Sequence, residues 1–393
     1  MQKKLIALAI AGLASTAAVA QSNVTIYGVV DVGYTYSSGE RPGNNTSTAN
    51  SAGIDSGLTA GSRIGFKGEE GLGNGLKTIF TLEYYIAPDQ NSGIGAAPTS
   101  SIGVSSSNSR QTFVGLSHNK LGTVTLGRQY AAGYFPGVRN DAFSGSAIGA
   151  LAVANGAALN SIGAGSGSRL NNSIAYTSPN WSGFTASTGY SFGEAAGMGG
   201  ATSNGISSGD ASVAFAGLNY ANGPLNLDAV YQTRQGVTAV ANAAAAAGNG
   251  LPAVLAHVPT QDSINEWIIG GSYDFKVAKV FATYQSQDDS NGTSTTEISN
   301  DVWSLGVSVP VFGNGKIMAS YANVDWDRSG TNGDSDVWAL GYEHALSKRT
   351  ALYTSYTYST NDKDVVSAAG LSNVTRFRGE SNSAVAAGIR HTF

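Results

Sequence analysis

No cysteine occurs among the 393 residues, which excludes a disulfide framework and any thiolate metal site and leaves stability to the packing of the chain itself. Charge is scarce as well. Asp, Glu, Lys and Arg make up 12%, about half the ~25% of an ordinary soluble domain. Long apolar runs are missing too: beyond the N-terminus no segment approaches the ~20 apolar residues of a membrane-crossing helix. Few charges without long apolar runs are unusual in a soluble protein, but expected where many strands show lipid on one face and water on the other. Proline is limited to 9 residues against 52 glycines. That balance could suggest disorder, yet 18 Tyr, 13 Phe and 5 Trp lie inside alternating stretches, whereas a disordered chain is poor in aromatics.

Catalytic patterns are equally lacking. No Gly-x-Ser-x-Gly elbow, metal-spaced histidine pair or phosphate loop is present, and the four histidines, His118, His257, His344 and His391, are scattered. Gly71-Leu72-Gly73-Asn74-Gly75 reads as a turn. No enzyme is expected. Acidic residues outnumber basic ones, 26 to 22, so nothing points to nucleic acid.

The N-terminus is an export signal: Lys3-Lys4, an apolar stretch from Leu5 to Leu13, then Ala18-Val19-Ala20 before Gln21. Residues 1–20 are expected to be a signal peptide, since the stretch is too short for a spanning anchor, and 21–393 to be one domain. Without Lys3 and Lys4 the 22 basic residues become 20 against 26 acidic, a formal charge of −6.

Period-two segments recur about sixteen times along the remainder, from Val24–Val32, Arg63–Lys67 and Leu76–Tyr84 to Trp267–Phe275, Trp303–Val309 and Ser383–Phe393. Each carries one apolar or aromatic face and one small, polar or charged face. Connections alternate between short turns, such as 71–75 and 312–315, and long polar loops, such as 37–61, 87–108, 130–168 and 235–263. The Ala-rich run 241–249 falls in one of these loops. This is the hairpin rhythm of an up-and-down barrel, with tight turns at one rim and extended loops at the other. In Trp267–Phe275 the aromatics Trp267, Tyr273 and Phe275 share a face across a rise of about 20 Å, close to a lipid-facing band flanked by aromatic girdles. A strand ending on Phe393 has an unprotected edge, which pairing with Val24–Val32 would remove.

Parity orients the charged residues. With Ile64 and Phe66 toward lipid, Arg63 and Lys67 face the lumen; with Leu170, Ile174 and Tyr176 toward lipid, so does Arg169. Arg110 shares a face with Thr112 and opposes Phe113, which also turns it inward. A charge on the lipid face would cost ~2–4 kcal/mol near the midplane. Arg128 has the parity of Val124 and Leu126, so a bulge must intervene if it is to face inward. The plainer reading of each arginine is an ion pair with an acidic neighbour on the wall, such as Glu83.

Asp325-Trp326-Asp327-Arg328-Ser329-Gly330, with Asp336 beyond, spaces oxygen ligands as a calcium loop does. Its flanks are strands, so a solvated acidic hairpin tip is preferred to a structural calcium site at Asp325, Asp327, Ser329 and Asp336. No other cofactor is expected.

Ser22–Asp31, Gly61–Lys77, Ser109–Leu116, Gly127–Tyr130, Arg169–Tyr176 and the terminal Phe393, taken in order, resemble the Gram-negative outer-membrane general diffusion porins, closest to those of beta-proteobacteria. The resemblance covers essentially all of the chain after residue 20. It implies an all-β, sixteen-stranded antiparallel transmembrane barrel set in outer-membrane lipid, usually a homotrimer, with loop 130–168 folded into the lumen as a constriction and loop 87–108 latching a neighbouring subunit. It implies that Phe393 is shown to the outer-membrane assembly machinery, and that Arg63, Arg110 and Arg169 occupy constriction positions. Cation-preferring relatives carry paired carboxylates on the inserted loop. Here Asp141 is that loop's only acidic residue and Arg139 is added, which favours small anionic or neutral solutes. A substrate-specific channel, or a barrel serving as an adhesin or structural anchor, are the alternative functions.

Overall fold

A computed structural model describes residues 23–40, 49–90, 94, 109–158, 160–164, 169–192, 212–235, 263–289, 298–328, 331–365, 368–370 and 378–393. The expected signal peptide, the Ala-rich run 241–249, Ser329 and most of loop 87–108 lie outside these residues.

Seventeen strand segments close one antiparallel sheet on itself. β1 (Asn23–Gly39) is long enough to pair with two successive partners, β2 (Ala49–Ser56) along its second half and β3 (Arg63–Gly73) along its first. β2 and β3 therefore share one position in the wall, and seventeen segments fill sixteen positions. The break between them is held by Asp31 of β1, whose carboxylate accepts the N–H groups of Thr59 and Ala60 at 2.7 Å each and the Thr59 hydroxyl at 2.6 Å. Gly57 turns the chain there at φ +74°, a conformation that glycine adopts without steric cost.

The ring closes where β17 (Ser381–Thr392) pairs with β1. Just past β17, Gly28 and Phe393 exchange two backbone hydrogen bonds of 3.1 Å each. The Phe393 ring lies against Gly28, where an added Cβ would come within 2.3 Å of it. Among the described residues every wall position thus has a neighbour on each side, so ladder hydrogen bonds are made within the sheet, as a hydrocarbon surround requires.

Outside, the strands show lipid their apolar faces: Val24, Ile26, Leu126, Ile269, Leu305 and Leu340 are all exposed. Aromatics gather in two bands. Trp267 meets Tyr284 at 5.3 Å, and Tyr321 meets Trp303 at 5.0 Å and Trp338 at 4.3 Å; toward the short-turn rim Phe184 meets Tyr220 at 4.5 Å and Tyr273 meets Phe275 at 4.6 Å. Rings with one polar end suit the interface between lipid and water.

Between β6 (Gly122–Tyr130) and β7 (Arg169–Thr177) the chain folds into the lumen through two helices, Tyr134–Arg139 and Ala150–Ala158. The second helix is alanine-rich, which favours helix and leaves little bulk, and all but Gly156 of its residues are buried. It seats on one side of the wall through named bonds: Ala150 N–H donates to Ser320 Oγ at 3.3 Å, and Asn300 Nδ2 donates to the Ala158 carbonyl at 2.9 Å. Thr357 Oγ1 donates to the Ile148 carbonyl at 2.8 Å. Wall glycines make room, Gly341 against the Phe143 ring and Gly306 against Ala142. The wall behind the loop is consequently apolar inside, with Val302, Val324, Trp326 and Val337 fully buried.

The acidic stretch that carries Asp325, Asp327 and Asp336 lies in a strand hairpin, the arrangement preferred above to a calcium loop. β14 (Gly315–Arg328) and β15 (Thr331–Ala345) run as a continuous ladder in which Asp325 faces Asp334 and Asp327 faces Asn332. Asp336 lies opposite Asn323 and accepts hydrogen bonds from the Tyr321 hydroxyl and from Asn323 Nδ2. Extended strands spread the ligands that a loop would converge, and among the described residues no group of three or more His, Cys, Asp or Glu could hold a metal ion.

Candidate functional site

Glu83, on β4 (Leu76–Tyr85), is the pivot of the inner wall. Its buried carboxylate accepts from Arg110 Nε at 2.7 Å and from the Tyr27 hydroxyl at 3.0 Å, and Arg63 Nε lies 3.4 Å away. One carboxylate thus serves two guanidinium groups and leaves an excess positive charge. Arg110 Nη2 also donates to the Tyr130 hydroxyl at 3.0 Å. Tyr130 stacks on Tyr134, the first residue of the inserted loop's first helix, with ring centres 3.6 Å apart. Arg169 lies 4.8 Å from the Tyr130 ring centre and 5.8 Å from that of Tyr134, and its Nη2 donates to the Tyr130 hydroxyl at 3.3 Å. These are cation–π distances, worth ~0.5–2 kcal/mol each, and they fix both aromatics and cation at the loop's entry.

A fourth arginine completes the group. Arg390, on β17, donates to Thr59 Oγ1 at 3.2 Å and to Glu343 at 3.0 Å; Glu343 in turn holds Lys316 at 3.2 Å. Arg63, Arg110, Arg169 and Arg390 line one cavity of about 570 Å³, together with Ser144–Ala147, Ala152 and Val153 of the inserted loop. Among the described residues lining it there is no carboxylate. Sequence reading missed Arg390, although its parity opposite Val385, Ala387 and Ile389 marks it as inward.

Arg110 reaches this cavity by a route parity did not give. Val114 and Leu116 are exposed outside, so the even positions of β5 (Ser109–His118) face outward, Thr112 among them. Phe113 faces the lumen, not lipid, and lines a second cavity with Gln111. A register shift between Glu83 and Tyr84, opposite Arg110, turns the arginine inward. Leu170 is likewise corrected: with Asn172 at φ +46° and a shift in register against β6, it packs inward with Ala131, Val213 and Phe215.

Other expected constriction residues lie elsewhere. Arg128 sits where the ladder of β6 with β7 shifts register, between Gly127 and Gln129, yet it does not line the arginine cavity; its guanidinium donates to the Ser109 carbonyl at 2.7 Å and to Asn171 Oδ1. Lys67 is an exposed residue, 5.2 Å from the Tyr27 ring centre, and does not line the arginine cavity. Arg139 is on the other side of the inserted loop, bonded to Asp228 at 2.5 Å. Asp141 is buried behind the passage, where its carboxylate accepts the Gly145 N–H at 2.8 Å. Burial pushes the Asp141 carboxyl up to about 6.

The model of the Gram-negative porin family matches residues 7–364. Outer membrane porin protein 32 of Delftia acidovorans is 34% identical, and an outer membrane porin of Bordetella pertussis 29% identical, each over the full length of both chains. An anion-selective porin from Comamonas acidovorans superposes with a TM-score of 0.71 at 30% identity, covering 95% of this chain and all of the other. Sixteen wall positions closed around an inserted loop, together with a match over nearly the whole sequence, make this chain a member of the Gram-negative porin family.

Proposed function

We propose that this porin is an outer-membrane diffusion channel that favours small hydrophilic anions over cations at its arginine cavity. The carrying observation is four guanidinium groups around one cavity that no carboxylate among the described residues lines, with Arg63 and Arg110 paired to Glu83, Arg390 paired to Glu343 and, among the described residues, Arg169 held by tyrosines alone. Guanidinium stays charged at any relevant pH, and a fixed positive field in a narrow passage attracts anions and repels cations. The likeness to a porin described as anion-selective supports the same reading. With it go export through residues 1–20, homotrimer assembly, and delivery by an assembly machinery that reads Phe393.

Reconstitution in planar bilayers under a salt gradient tests it. Stepwise currents with a reversal potential of the anion-favouring sign are expected; a cation-favouring sign overturns the selectivity, and absence of steps overturns the channel.

A further inference from the structure

The face of the inserted loop turned away from the arginine cavity borders a second lumen cavity of about 460 Å³, within the ~300–1,000 Å³ usual for small-molecule sites. Its wall is not what a water-filled barrel requires. Inward positions of such barrels are ordinarily polar, yet Ile79, Phe113 and Phe215 face this space from three strands, and Phe135 of the loop's first helix stands 44% exposed beside them. Neutral amide and hydroxyl groups, Gln129 and Thr125 among them, share the lining.

The polar end is built around Arg139. Its Nε and Nη2 bond Asp228, at 3.2 and 2.5 Å, while among the described residues Nη1 has no hydrogen-bond partner and the side chain stays 38% exposed. Asp228 is closed off: besides Arg139 it accepts from Asn140 at 2.8 Å, Asn219 at 2.9 Å and Asn226 at 2.8 Å, and its side chain is 1% exposed. A passing cation finds no acceptor on that carboxylate. A passing anion finds a guanidinium edge beside aromatic surface, with Arg139 itself 5.4 Å from the Phe135 ring centre.

We propose that this cavity is a weak binding site for small aromatic monocarboxylates, the ring against Ile79, Phe113 and Phe135 and the carboxylate on Arg139. The inference rests on the channel reading above and deepens it, adding to a charge filter a subsite that sorts anions by apolar surface. Occupancy would raise the local concentration of such solutes in the lumen, with binding weak enough to release them.

The test is single-channel blockade by benzoate, acetate and neutral benzyl alcohol, each added to a chloride bath. Benzoate is expected to half-block at a concentration about tenfold below acetate, with benzyl alcohol weaker than benzoate. Phe113→Ser and Ile79→Ser are each expected to bring the benzoate-to-acetate ratio toward one, a ratio in which any general change of conductance cancels. The paired variant Arg139→Gln with Asp228→Asn, which leaves no buried charge unpaired, is expected to bring benzoate down to benzyl alcohol. Equal blockade by benzoate and acetate through a channel with normal chloride current overturns the inference alone, as does a ratio unmoved by Phe113→Ser. Loss of the chloride current in the wild-type protein overturns the channel reading and this inference with it.

Discussion

Arg110 Nε donates to Glu83 Oε1 at 2.7 Å, and both side chains are nearly buried, at 10% and 5% exposure. The same carboxylate faces Arg63 at 3.4 Å, so a single acid compensates two cations beside the passage. Breaking a buried pair leaves an uncompensated charge, at ~3–5 kcal/mol in a protein interior and less beside water. Glu83→Gln is therefore expected to lower stability by about 2–4 kcal/mol and to increase anion preference. Heat-induced unfolding on gels reads the first effect, and the bilayer reversal potential reads the second; an unchanged potential would separate Glu83 from the field of the passage.

Arg390 should matter for selectivity as Arg63, Arg110 and Arg169 do, because it lines the same cavity from the opposite end of the chain. Arg390→Ser is expected to reduce the anion-to-cation permeability ratio by about two- to threefold, and Arg390→Lys to retain most of it. Serine at Arg63, Arg110 and Arg169 together is expected to weaken the preference further without preventing assembly. A ratio unaffected by Arg390→Ser would place that residue in a purely structural pair with Glu343.

Gly28→Val tests the seam. An added Cβ would stand 2.3 Å from the Phe393 ring and 2.6 Å from the Arg63 carbonyl oxygen, closer than packed atoms approach. Yield of folded, heat-modifiable barrel is expected to fall sharply. Combination with Phe393→Ala should restore part of it, the remaining deficit belonging to the backbone contact with Arg63.

Gly341→Val tests how the inserted loop is seated. The new side chain would meet the Phe143 ring, whose edge lies 2.7 Å from an added Cβ, and overpacking of this kind costs ~1–3 kcal/mol. The barrel is expected to fold, with a displaced loop seen as noisier single-channel current and easier proteolysis between 134 and 158.

Asp141 gives the loop a pH dependence. Its carboxyl is raised to about 6 from an ordinary 3.8, by burial first, against the lowering effect of the Gly145, Phe143 and Ala142 N–H groups. A carboxyl raised in the folded state holds its proton more tightly there, so the seated loop is most stable below pH ~4 and loses stability as pH rises to about 6. The loss is at most about 3 kcal/mol. Proteolysis of the loop should accelerate from pH 4 to 7 in the wild-type protein and stay level in Asp141→Asn; parallel profiles would assign the change to another group.

Much of the architecture was legible in the chain. Alternation along Trp267–Phe275 gave the lipid face later seen in exposed Ile269, Tyr273 and Phe275, and the spacing of short turns and long loops gave the antiparallel order. The inserted loop was readable by resemblance, and its near lack of acidic residues by inspection. Two kinds of feature escaped. Parity failed at Phe113 and Leu170 because it assumes an apolar residue faces lipid, whereas this lumen has apolar walls of its own beneath and beside the loop. It also failed wherever one extra residue enters a ladder, as near Arg110 and Asn172, because a bulge reverses inside and outside for every residue beyond it.

The sequence by itself determined that this chain is a closed, lipid-facing sheet with cations among its inward residues, since a period of two and scarce charge follow from the solvent on each face. Only the tertiary structure decided which cations meet. Arg63, Arg110 and Arg169 join Arg390 around one cavity, while Arg128, Lys67, Arg139 and Asp141 are held elsewhere. Strand register, local bulges and the seating of one loop made that selection, and each depends on contacts between residues far apart in the chain.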